Sequence, residues 1–150
     1  MEISIAKNND IKELCKLLNI LFTQEEEFVP DESNQSNALE IIIDNPGIGE
    51  IFVAKEKDII IGTVSLLYSI STALGGKVAT LEDMIVSPES RSSGVGSKLI
   101  THAINHAKSN DCKRITLLTD TSNKSAHNFY LKNGFSQSSM KIFRLSMDGS

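Results

Sequence analysis

The residue run best suited to chemistry is Arg91-Ser92-Ser93-Gly94-Val95-Gly96-Ser97, between a predicted strand and the start of a long predicted helix. Its two glycines allow the backbone to approach a ligand closely. The unpaired N–H groups of a first helical turn, at the positive end of the helix dipole, favour an anion such as pyrophosphate. A flexible loop with a glycine at the helix start is the alternative interpretation. The run is not a Walker A loop, because Ser97 rather than lysine follows Gly96, and it lacks the third glycine of a dinucleotide fingerprint.

A second residue run suited to chemistry begins at Asn123, directly after a predicted strand. Helical spacing places Ala126, Phe129 and Tyr130 on one face of a short helix. Gly134 then follows where a left-handed residue is favoured. The run therefore predicts a short helix that ends at a glycine.

Two helices are predicted in the first third of the chain. Residues 3–6 alternate as a strand does, and Asp10 with Glu13 forms a capping-box signature for the helix that follows. Apolar residues recur there at helical spacing, at Ile11, Leu14, Cys15, Leu18, Leu21 and Phe22. An acidic stretch and a polar loop, residues 25–36, lead to a second helix over about residues 37–44, which ends at a Pro and Gly pair.

The middle of the chain predicts antiparallel strands. Residues 51–54 and the β-branched run 59–71 flank a short turn and indicate a hairpin, and two glycines precede a third strand over residues 78–86. Downstream we expect a helix over residues 94–109, a short buried strand over residues 114–119 and a short helix over residues 125–132. From Phe135 we expect a return to strand that includes residues 142–145. The order β-α-α-β-β-β-α-β-α-β-β, without a repeat or linker, predicts one domain over residues 1–150.

Composition limits the classes of function. The 150 residues are 40% hydrophobic and 23% charged, as in a soluble globular protein, and 15 basic against 19 acidic side chains give a net charge of −4. No basic excess draws the chain to phosphate backbones, so nucleic acid is not expected as a partner. Apolar runs fall far short of the ~20 residues of a membrane span, and the start of the sequence shows no export signal, so we expect a cytoplasmic protein without membrane contact. Cys15 and Cys112 are predicted to be free core thiols.

Together the two runs resemble the GNAT superfamily of acyl-CoA-dependent N-acetyltransferases. The family signature is Gln or Arg, two residues, Gly, one residue and Gly or Ala, followed downstream by an Asn, Ala, Phe-Tyr and Gly-Phe pattern. The resemblance is specific from about Leu81 to Phe135. It implies an α/β GNAT acyl-CoA N-acyltransferase fold, with a mixed, mainly antiparallel sheet flanked by helices. It also implies acetyl transfer from acetyl-CoA to a primary amine by direct attack in a ternary complex, with no metal.

The resemblance also implies which residues hold acetyl-CoA. Backbone groups of one strand would bind the pantetheine arm, the glycine run would hold the pyrophosphate, and Asn123 would contact the cofactor. The implied cofactor-binding residues are Met84, Ile85, Val86, Arg91, Ser92, Ser93, Gly94, Val95, Gly96, Ser97, Asn123, Ala126 and Tyr130. Ser92 and Ser93 depart from the family's commonest pattern, in which Gly often follows the Arg, but a serine still offers its N–H group and adds a hydroxyl donor.

Amine acetylation benefits from a proton acceptor, because an alkylammonium with a pKa of ~10.4 costs about 4–5 kcal/mol to deprotonate at neutral pH. Glu82 and Asp83 are adjacent on the strand that would bind the cofactor, and a period of two points their carboxylates to opposite faces. The resemblance places a carboxylate at Glu82, so we expect Glu82 to act as general base, directly or through water. The alternative is that Glu82 only binds the substrate cation or is a solvated residue of a strand face.

Tyr130 is the expected catalytic acid, since the resemblance places it near the thioester sulfur. A phenol is a weaker acid than the leaving thiol by about 2 kcal/mol, so its help in protonating or hydrogen-bonding the sulfur should be modest. The alternative is a structural tyrosine that packs beside Phe129 with its hydroxyl satisfied.

Two further clusters favour structural interpretations. His102 and His106 are one helical turn apart, but Ala103 stands where a zinc protease has glutamate and no third ligand is evident, so a solvated helix flank is expected. The acidic run 25–27, with the acidic pair at 31–32, is expected to be a solvated loop. If it borders the acceptor cleft, as the matching loop does in the family, it would favour a cationic amine.

Several functions stay open at this level. Residues 81–86 with 91–97 resemble the diamine and polyamine acetyltransferase branch, which implies a small-molecule amine acceptor. A protein or amino-acid amine is an alternative acceptor, and a catalytically silent acyl-CoA-binding regulatory module is an alternative of another class. A domain that binds ATP with the glycine run is disfavoured, because the Walker lysine is missing. Family members often form homodimers, so a homodimer is a further expectation.

Overall fold

The computed structural model describes residues 1–24 and 31–148. Within them, strands β1 to β5 span Glu2–Ile5, Gly49–Glu56, Ile59–Ser71, Gly76–Val86 and Ile115–Leu117. Helices α1 to α4 span Ile11–Gln24, Glu32–Asp44, Val95–Ser109 and Lys124–Lys132, and single 3-10 turns occupy Asn8–Asp10 and Pro88–Ser90. The chain divides into two compact units, residues 1–120 and residues 121–150. The first unit holds all five strands and the first three helices, and one domain over residues 1–150 stays a prediction.

The strands form one sheet in the order β1-β2-β3-β4-β5. The first four strands are antiparallel to their neighbours, and β5 is parallel to β4. Lys57 and Asp58 connect β2 to β3 with φ angles of 49° and 66°, the left-handed pair that a two-residue hairpin turn requires. The predicted hairpin and the predicted mixed, mainly antiparallel sheet flanked by helices are both confirmed.

Helices α1 and α2 cover one face of the sheet. Their apolar side chains form a buried cluster with side chains from three strands: Leu14, Leu17, Leu18 and Leu39 with Ile51, Val53, Ile60 and Ile85. Burial of each such side chain stabilises the fold by roughly 1.5–3 kcal/mol. The helical spacing predicted for α1 is therefore the spacing of its buried face.

Helix α3 covers the opposite face. Phe52 alternates with Ile51 and Val53 along β2, and its ring packs edge-on against two histidines of α3. A Cβ atom at Gly62 would lie 2.8 Å from Leu99 Cδ1, so glycine is needed where α3 approaches β3. No helix in the described part of the chain is long and apolar enough to cross a membrane.

Helix α2 begins earlier than predicted. It starts at Glu32 rather than near residue 37, so the polar loop expected over residues 34–36 is wrong. Asp31 is its N-cap and accepts a hydrogen bond from the Asn34 N–H group at 3.1 Å. Ser and Asn are weak helix formers, and the N-cap with tertiary packing outweighs that weakness here.

The capping box predicted at the start of α1 is also wrong. Asp10 instead accepts a hydrogen bond from the Lys7 N–H group at 2.8 Å, which closes the 3-10 turn before the helix. Glu13 accepts a hydrogen bond from the Ile60 N–H group at 3.0 Å, so its carboxylate joins α1 to the start of β3.

The return to strand predicted after Phe135 is not found. Residues 135–148 have no strand, and after Phe135 their apolar side chains are exposed: Met140, Ile142, Phe143, Leu145 and Met147. A strand is favoured by burial of one face, and the exposed apolar side chains of this segment do not have that burial.

Candidate active site

Strand β4 changes its pairing halfway along its length. Ser65 of β3 pairs with Glu82, whereas Thr63 pairs with Ile85, so the register shifts between these two pairs. Asp83 lies inside the shift and has a φ of 54°, in the left-handed region that aspartate tolerates better than most residues. This is a β-bulge, and it means that a strict period of two, predicted for Glu82 and its neighbours, does not hold here.

Strand pairing places Glu82 on the face of the sheet that α1 and α2 cover. Directly paired residues share a face, and Ser65 pairs both with Glu82 and with Ile51, which belongs to the α1–α2 apolar cluster. Ile85, three residues after Glu82, belongs to the same cluster and is 6% exposed. Glu82 itself is exposed, so its carboxylate is on this face at a point that solvent reaches.

The sheet opens beside β4. Pairing between β4 and β5 covers only Ala79–Leu81, so in the described chain residues 82–86 have no strand on the β5 side. Met84 and Val86 are partly exposed, while the Ile85 side chain is buried and leaves only its backbone for a ligand. An unpaired strand edge offers N–H and C=O groups to an extended ligand.

The segment after β4 leads directly to α3. Ser92 and Gly94 have φ angles of 65° and 88°, so the backbone turns sharply twice within three residues. The Arg91 Nε–H group donates to the Val86 carbonyl oxygen at 3.0 Å, and the Ser93 hydroxyl donates to the Ser90 carbonyl oxygen. These bonds fix the shape of the predicted glycine loop.

The N-terminus of α3 lacks a side-chain cap, unlike those of α2 and α4. Gly94 is the N-cap, and among the residues described no side chain bonds to the first turn of α3. A Cβ atom at Gly94 would meet nothing within 4 Å. Val95 is buried and offers only its backbone, whereas Gly96 and Ser97 are partly exposed. Open space, free N–H groups and the positive end of a 15-residue helix fit a bound pyrophosphate.

The remaining predicted cofactor residues belong to the second unit. The Asn123 side-chain oxygen accepts hydrogen bonds from the Ala126 N–H group at 3.2 Å and from the Ser125 hydroxyl at 3.3 Å, so Asn123 is the N-cap of α4. Gly134 has a φ of 98°, and the Phe135 N–H group donates to the carbonyl oxygen of residue 130 at 3.1 Å. This is the left-handed helix end that the sequence predicts.

Tyr130 packs among aromatic rings of the same unit. Its ring centroid lies 5.3 Å from that of Phe129 and 5.8 Å from that of Phe135, in edge-to-face arrangements. Burial raises the pKa of Tyr130 to about 12. The phenol is therefore protonated at neutral pH and acts as a hydrogen-bond donor, but it is a weaker acid than an exposed tyrosine.

The predicted site residues thus fall into two groups. Residues 82–97, from Glu82 through Ser97, form one continuous stretch of the first unit, which we call the open segment. Asn123, Ala126 and Tyr130 lie on or next to α4 in the second unit.

The two histidines of α3 are not a solvated helix flank, contrary to expectation. Both face β2, where their ring centroids lie 5.2 and 5.0 Å from that of Phe52. His106 Nε2 lies 2.7 Å from Glu50 Oε1, and the Tyr68 hydroxyl donates to the same oxygen at 2.6 Å. We call Glu50, Tyr68 and His106 the Glu50 cluster. Nowhere among the described residues do three or more His, Cys, Asp or Glu residues form a group that could hold a metal ion.

The acidic run 25–27 lies outside the described residues, so the expected solvated loop stays a prediction, as does the preference for a cationic amine that would follow if the run bordered the acceptor cleft. Its neighbours at 31 and 32 are described: Asp31 is the N-cap of α2, and Glu32 is in the first helical turn.

Known proteins match this sequence and this fold. The acetyltransferase (GNAT) family profile matches residues 11–135, most of the chain, and the protein therefore belongs to the GNAT family. An uncharacterized N-acetyltransferase of Bacillus subtilis strain 168, YhfO, is 29% identical over 140 residues, which are 91% of each chain.

Solved structures of other proteins share this fold. A protein of Agrobacterium tumefaciens strain C58, provisionally called an acetyltransferase, is 25% identical, with a TM-score of 0.83 over 97% of this chain and all of its own. Glucosamine-6-phosphate N-acetyltransferase of Arabidopsis thaliana is 23% identical, with a TM-score of 0.77 over 96% of this chain and 97% of its own. At that identity the likeness shows the fold alone, and the fold does not define the acceptor.

Proposed function

We propose that this GNAT-family protein transfers acetyl from acetyl-CoA to a primary amine by direct attack in a ternary complex. The observation that supports the proposal most is the open segment, in which a strand edge that β5 does not cover leads through a fixed loop to an uncapped helix N-terminus. Its groups match the two chemically distinct parts of coenzyme A. The strand edge suits the amide groups of the pantetheine arm, and the helix N-terminus suits the pyrophosphate.

Acetyl-CoA, when bound, supplies an activated acetyl thioester. The backbone of Met84, Ile85 and Val86 would hold its pantetheine arm, and the loop from Ser92 to Ser97 would hold its pyrophosphate. Arg91 would hold the loop in shape through its bond to the Val86 carbonyl oxygen. Asn123 and Ala126 remain proposed cofactor contacts on the basis of the family resemblance, and their mutual hydrogen bond makes the start of α4 rigid.

Glu82 is the proposed general base. It is exposed, so water or an amine can reach its carboxylate, and its pairing with Ser65 puts it on the α1–α2 face of the sheet. The neutral amine attacks the thioester carbonyl carbon, and the attacking nitrogen then loses its proton to the carboxylate, directly or through water. The C–S bond breaks as the N–C bond is completed, and coenzyme A leaves as the thiolate.

Tyr130 is the proposed hydrogen-bond donor to the leaving sulfur. Its raised pKa keeps the hydroxyl protonated throughout the neutral range, which suits donation of a hydrogen bond. The same shift makes complete proton transfer from the phenol more costly, so we assign stabilisation of the thiolate rather than full protonation to this residue.

The acceptor that we propose is a small cationic amine of the diamine or polyamine kind. Residues 81–86 and 91–97 resemble that branch of the family, and the chain carries a net charge of −4. A distal ammonium near one or two exposed carboxylates gains up to about 1 kcal/mol per contact, and added salt should reduce that gain.

The decisive experiment is an acceptor panel with acetyl-CoA, scored by release of free thiol. The panel contains putrescine, butylamine, a free amino acid and a lysine peptide, each measured at low and high salt. Thiol release that depends on an amine supports acetyl transfer, and higher kcat/KM for putrescine that falls with salt supports the polyamine assignment. Acetyl-CoA binding without thiol release for any amine would instead indicate a silent acyl-CoA-binding module.

A further inference from the structure

Ser65 differs from the other buried polar residues of the described chain. It is 3% exposed, and its hydroxyl forms no hydrogen bond to any described residue. Asp10, Gln35 and Thr63 are also buried, and each uses its side chain in a hydrogen bond. A buried hydroxyl without a partner destabilises the fold, because it loses its bond to water and gains none in return. Such a group indicates a role other than stability.

Ser65 is directly paired with Glu82, the proposed general base. Directly paired residues share a face of the sheet, and their Cβ atoms lie about 4.5–5.5 Å apart. On its other side Ser65 pairs with Ile51, which has no polar side-chain atom. Two residues before it on β3 and on the same face is Thr63, whose hydroxyl already donates to the Phe52 carbonyl oxygen at 2.8 Å. Glu82 is therefore the polar neighbour in the sheet that the Ser65 hydroxyl has available.

The Glu82 carboxylate is able to reach this hydroxyl. Glu82 is exposed, and its side chain makes no hydrogen bond or ion pair to a described residue. Its carboxylate oxygens lie three bonds beyond Cβ, so rotation of the side chain brings one of them to hydrogen-bond distance from a hydroxyl on the directly paired residue. The contact therefore requires no movement of a strand or a helix.

We propose that Ser65 positions the general base: its hydroxyl donates a hydrogen bond to one carboxylate oxygen of Glu82 when the amine is bound. This inference rests on the proposed acetyltransferase function. In the free protein, water reaches the exposed carboxylate. A bound amine displaces part of that water, and the Ser65 hydroxyl replaces a lost hydrogen bond. A hydrogen bond to a charged group is stronger than one between neutral groups, so it holds an otherwise mobile side chain in one orientation.

Ser65 keeps its own proton during the reaction. As the N–C bond forms and the C–S bond breaks, the proton of the attacking nitrogen goes to the other carboxylate oxygen of Glu82, and the electron pair of the C–S bond leaves with the thiolate. Ser65 is therefore a positioning residue, and not an acid or a base. Since it orients a proton acceptor that is still present without it, its removal should reduce the rate less than removal of the carboxylate.

The test removes the hydroxyl with Ser65→Ala and keeps it with Ser65→Thr. Thr63→Val is the matched control, because it removes from the same face of β3 a hydroxyl that has its partner within the sheet. For each variant, kcat and KM are measured by thiol release with acetyl-CoA and putrescine, or with the panel amine of highest kcat/KM if putrescine is not acetylated. Thermal unfolding and acetyl-CoA affinity are measured on the same samples.

In Ser65→Ala we expect kcat to fall about tenfold, with unchanged acetyl-CoA affinity and a Tm no lower than that of the wild type, because an unpartnered hydroxyl is removed. Ser65→Thr should retain the wild-type kcat, since its hydroxyl can donate the same bond. Thr63→Val should show the opposite pattern, with a lower Tm and the wild-type kcat. Wild-type kcat in Ser65→Ala, or an equal loss of kcat in Ser65→Thr, would overturn the inference and leave the acetyltransferase proposal intact.

A double-mutant cycle tests whether the hydroxyl acts through Glu82. In the Glu82→Gln background, Ser65→Ala should cause no further loss of kcat, because the carboxylate that Ser65 positions is already absent. A further loss as large as that in the wild-type background would overturn the inference, since the hydroxyl would then act independently of Glu82. Failure of the wild type to acetylate any amine of the panel would overturn both this inference and the proposed function.

Discussion

Strand β4 and helix α3 each have one end closed by side-chain contacts and one end left open. At the closed end, the Glu50 cluster joins β2, β3 and α3: one carboxylate oxygen binds the Tyr68 hydroxyl and His106 Nε2. The Lys77 ammonium of β4 lies 4.7 Å from the centre of the Tyr68 ring. At the other end, the open segment has a strand edge that β5 does not cover and, within the described chain, a helix N-terminus without a side-chain cap.

The difference separates polar groups that stabilise the fold from polar groups that are available to bind. Partnered polar groups contribute modestly to stability, and removing one partner leaves the other unsatisfied and costs more. Unpartnered backbone groups at a strand edge and at a helix end remain available for a ligand. We therefore expect substitutions in the Glu50 cluster to change stability, and substitutions in the open segment to change binding and turnover.

The largest effect is expected at Glu82. Glu82→Gln removes the proposed proton acceptor with little change in shape, and kcat should fall by about 10³-fold at neutral pH. Part of the loss should be recovered at alkaline pH, where more of the amine is already neutral. Because Glu82 is exposed, Tm should stay within about 1 °C of the wild type. Steady-state kinetics over a pH series measures this loss. Glu40→Gln, on the exposed side of α2, is the control. Equal kcat in the two variants would mean that Glu82 takes no part in the mechanism.

The second-largest effect is expected at Tyr130, one of the two tyrosines of the chain. Tyr130→Phe removes the hydroxyl proposed to stabilise the leaving sulfur, so kcat should fall by roughly 10²-fold. Affinity for acetyl-CoA should hardly change, since an interaction made mainly in the transition state affects kcat. Tyr68→Phe makes the same chemical change in the Glu50 cluster and should leave kcat unaltered. Equal kinetics of the two variants would mean that the Tyr130 hydroxyl is structural.

A smaller effect is expected at the start of α3. Gly96→Asp places a carboxylate at the helix N-terminus, where it should repel the pyrophosphate and weaken acetyl-CoA binding by about 30-fold, or about 2 kcal/mol. Circular dichroism should show an intact fold, because a carboxylate is favourable in a first helical turn when no ligand is present. Calorimetry provides the affinity, and Gly96→Asn separates the charge from the added volume. A folded Gly96→Asp protein with wild-type affinity would exclude this site.

The sequence predicts the open segment better than any other part of the site. Glycine spacing and helix periodicity indicate the loop before α3, and the structure has α3 from Val95 after a left-handed Gly94. The bulge at Asp83 is missed, because bulges depend on pairing with another strand rather than on a local period. Asp83 itself is the one local signal, since aspartate is rare in strands and tolerates a positive φ.

The Glu50 cluster and the start of α2 could not be predicted from the sequence. Glu50 and His106 are 56 residues apart, and only the packing of α3 on β2 brings them together. The start of α2 at Glu32 depends on a cap by Asp31 and on burial of Gln35 and Leu39, which local propensity does not indicate. The roles of Glu82, Tyr130 and Asn123 come from the family resemblance and stay predictions.

The fourth effect is a loss of stability without a loss of binding. Glu50→Gln removes the negative charge that pairs with His106, and the free energy of unfolding should fall by roughly 1–3 kcal/mol, since the carboxylate is largely buried. Acetyl-CoA affinity, measured below the unfolding transition, should equal that of the wild type. Urea unfolding provides the first quantity and calorimetry the second. Weaker acetyl-CoA binding with unchanged stability would contradict the division between the two ends of β4 and α3.

The smallest effect is expected for Tyr68→Phe, and it should depend on pH. Burial, and then the hydrogen bond to Glu50, raise the pKa of Tyr68 well above its ordinary value of ~10. Above pH ~10 the Tyr68 hydroxyl is deprotonated in the unfolded chain but stays protonated in the folded chain. The free energy of unfolding of the wild type therefore falls as pH rises. Tyr68→Phe should therefore be modestly less stable at neutral pH, by about 0.5–1.5 kcal/mol, and its stability should fall less steeply above pH ~10. Urea unfolding across the alkaline range measures both values, and Tyr130→Phe gives the corresponding slope for the other tyrosine. If the free energy of unfolding of Tyr68→Phe fell with alkaline pH as steeply as that of the wild type, Glu50 would not hold the Tyr68 proton in solution. The closed end would then depend on the Glu50–His106 pair alone.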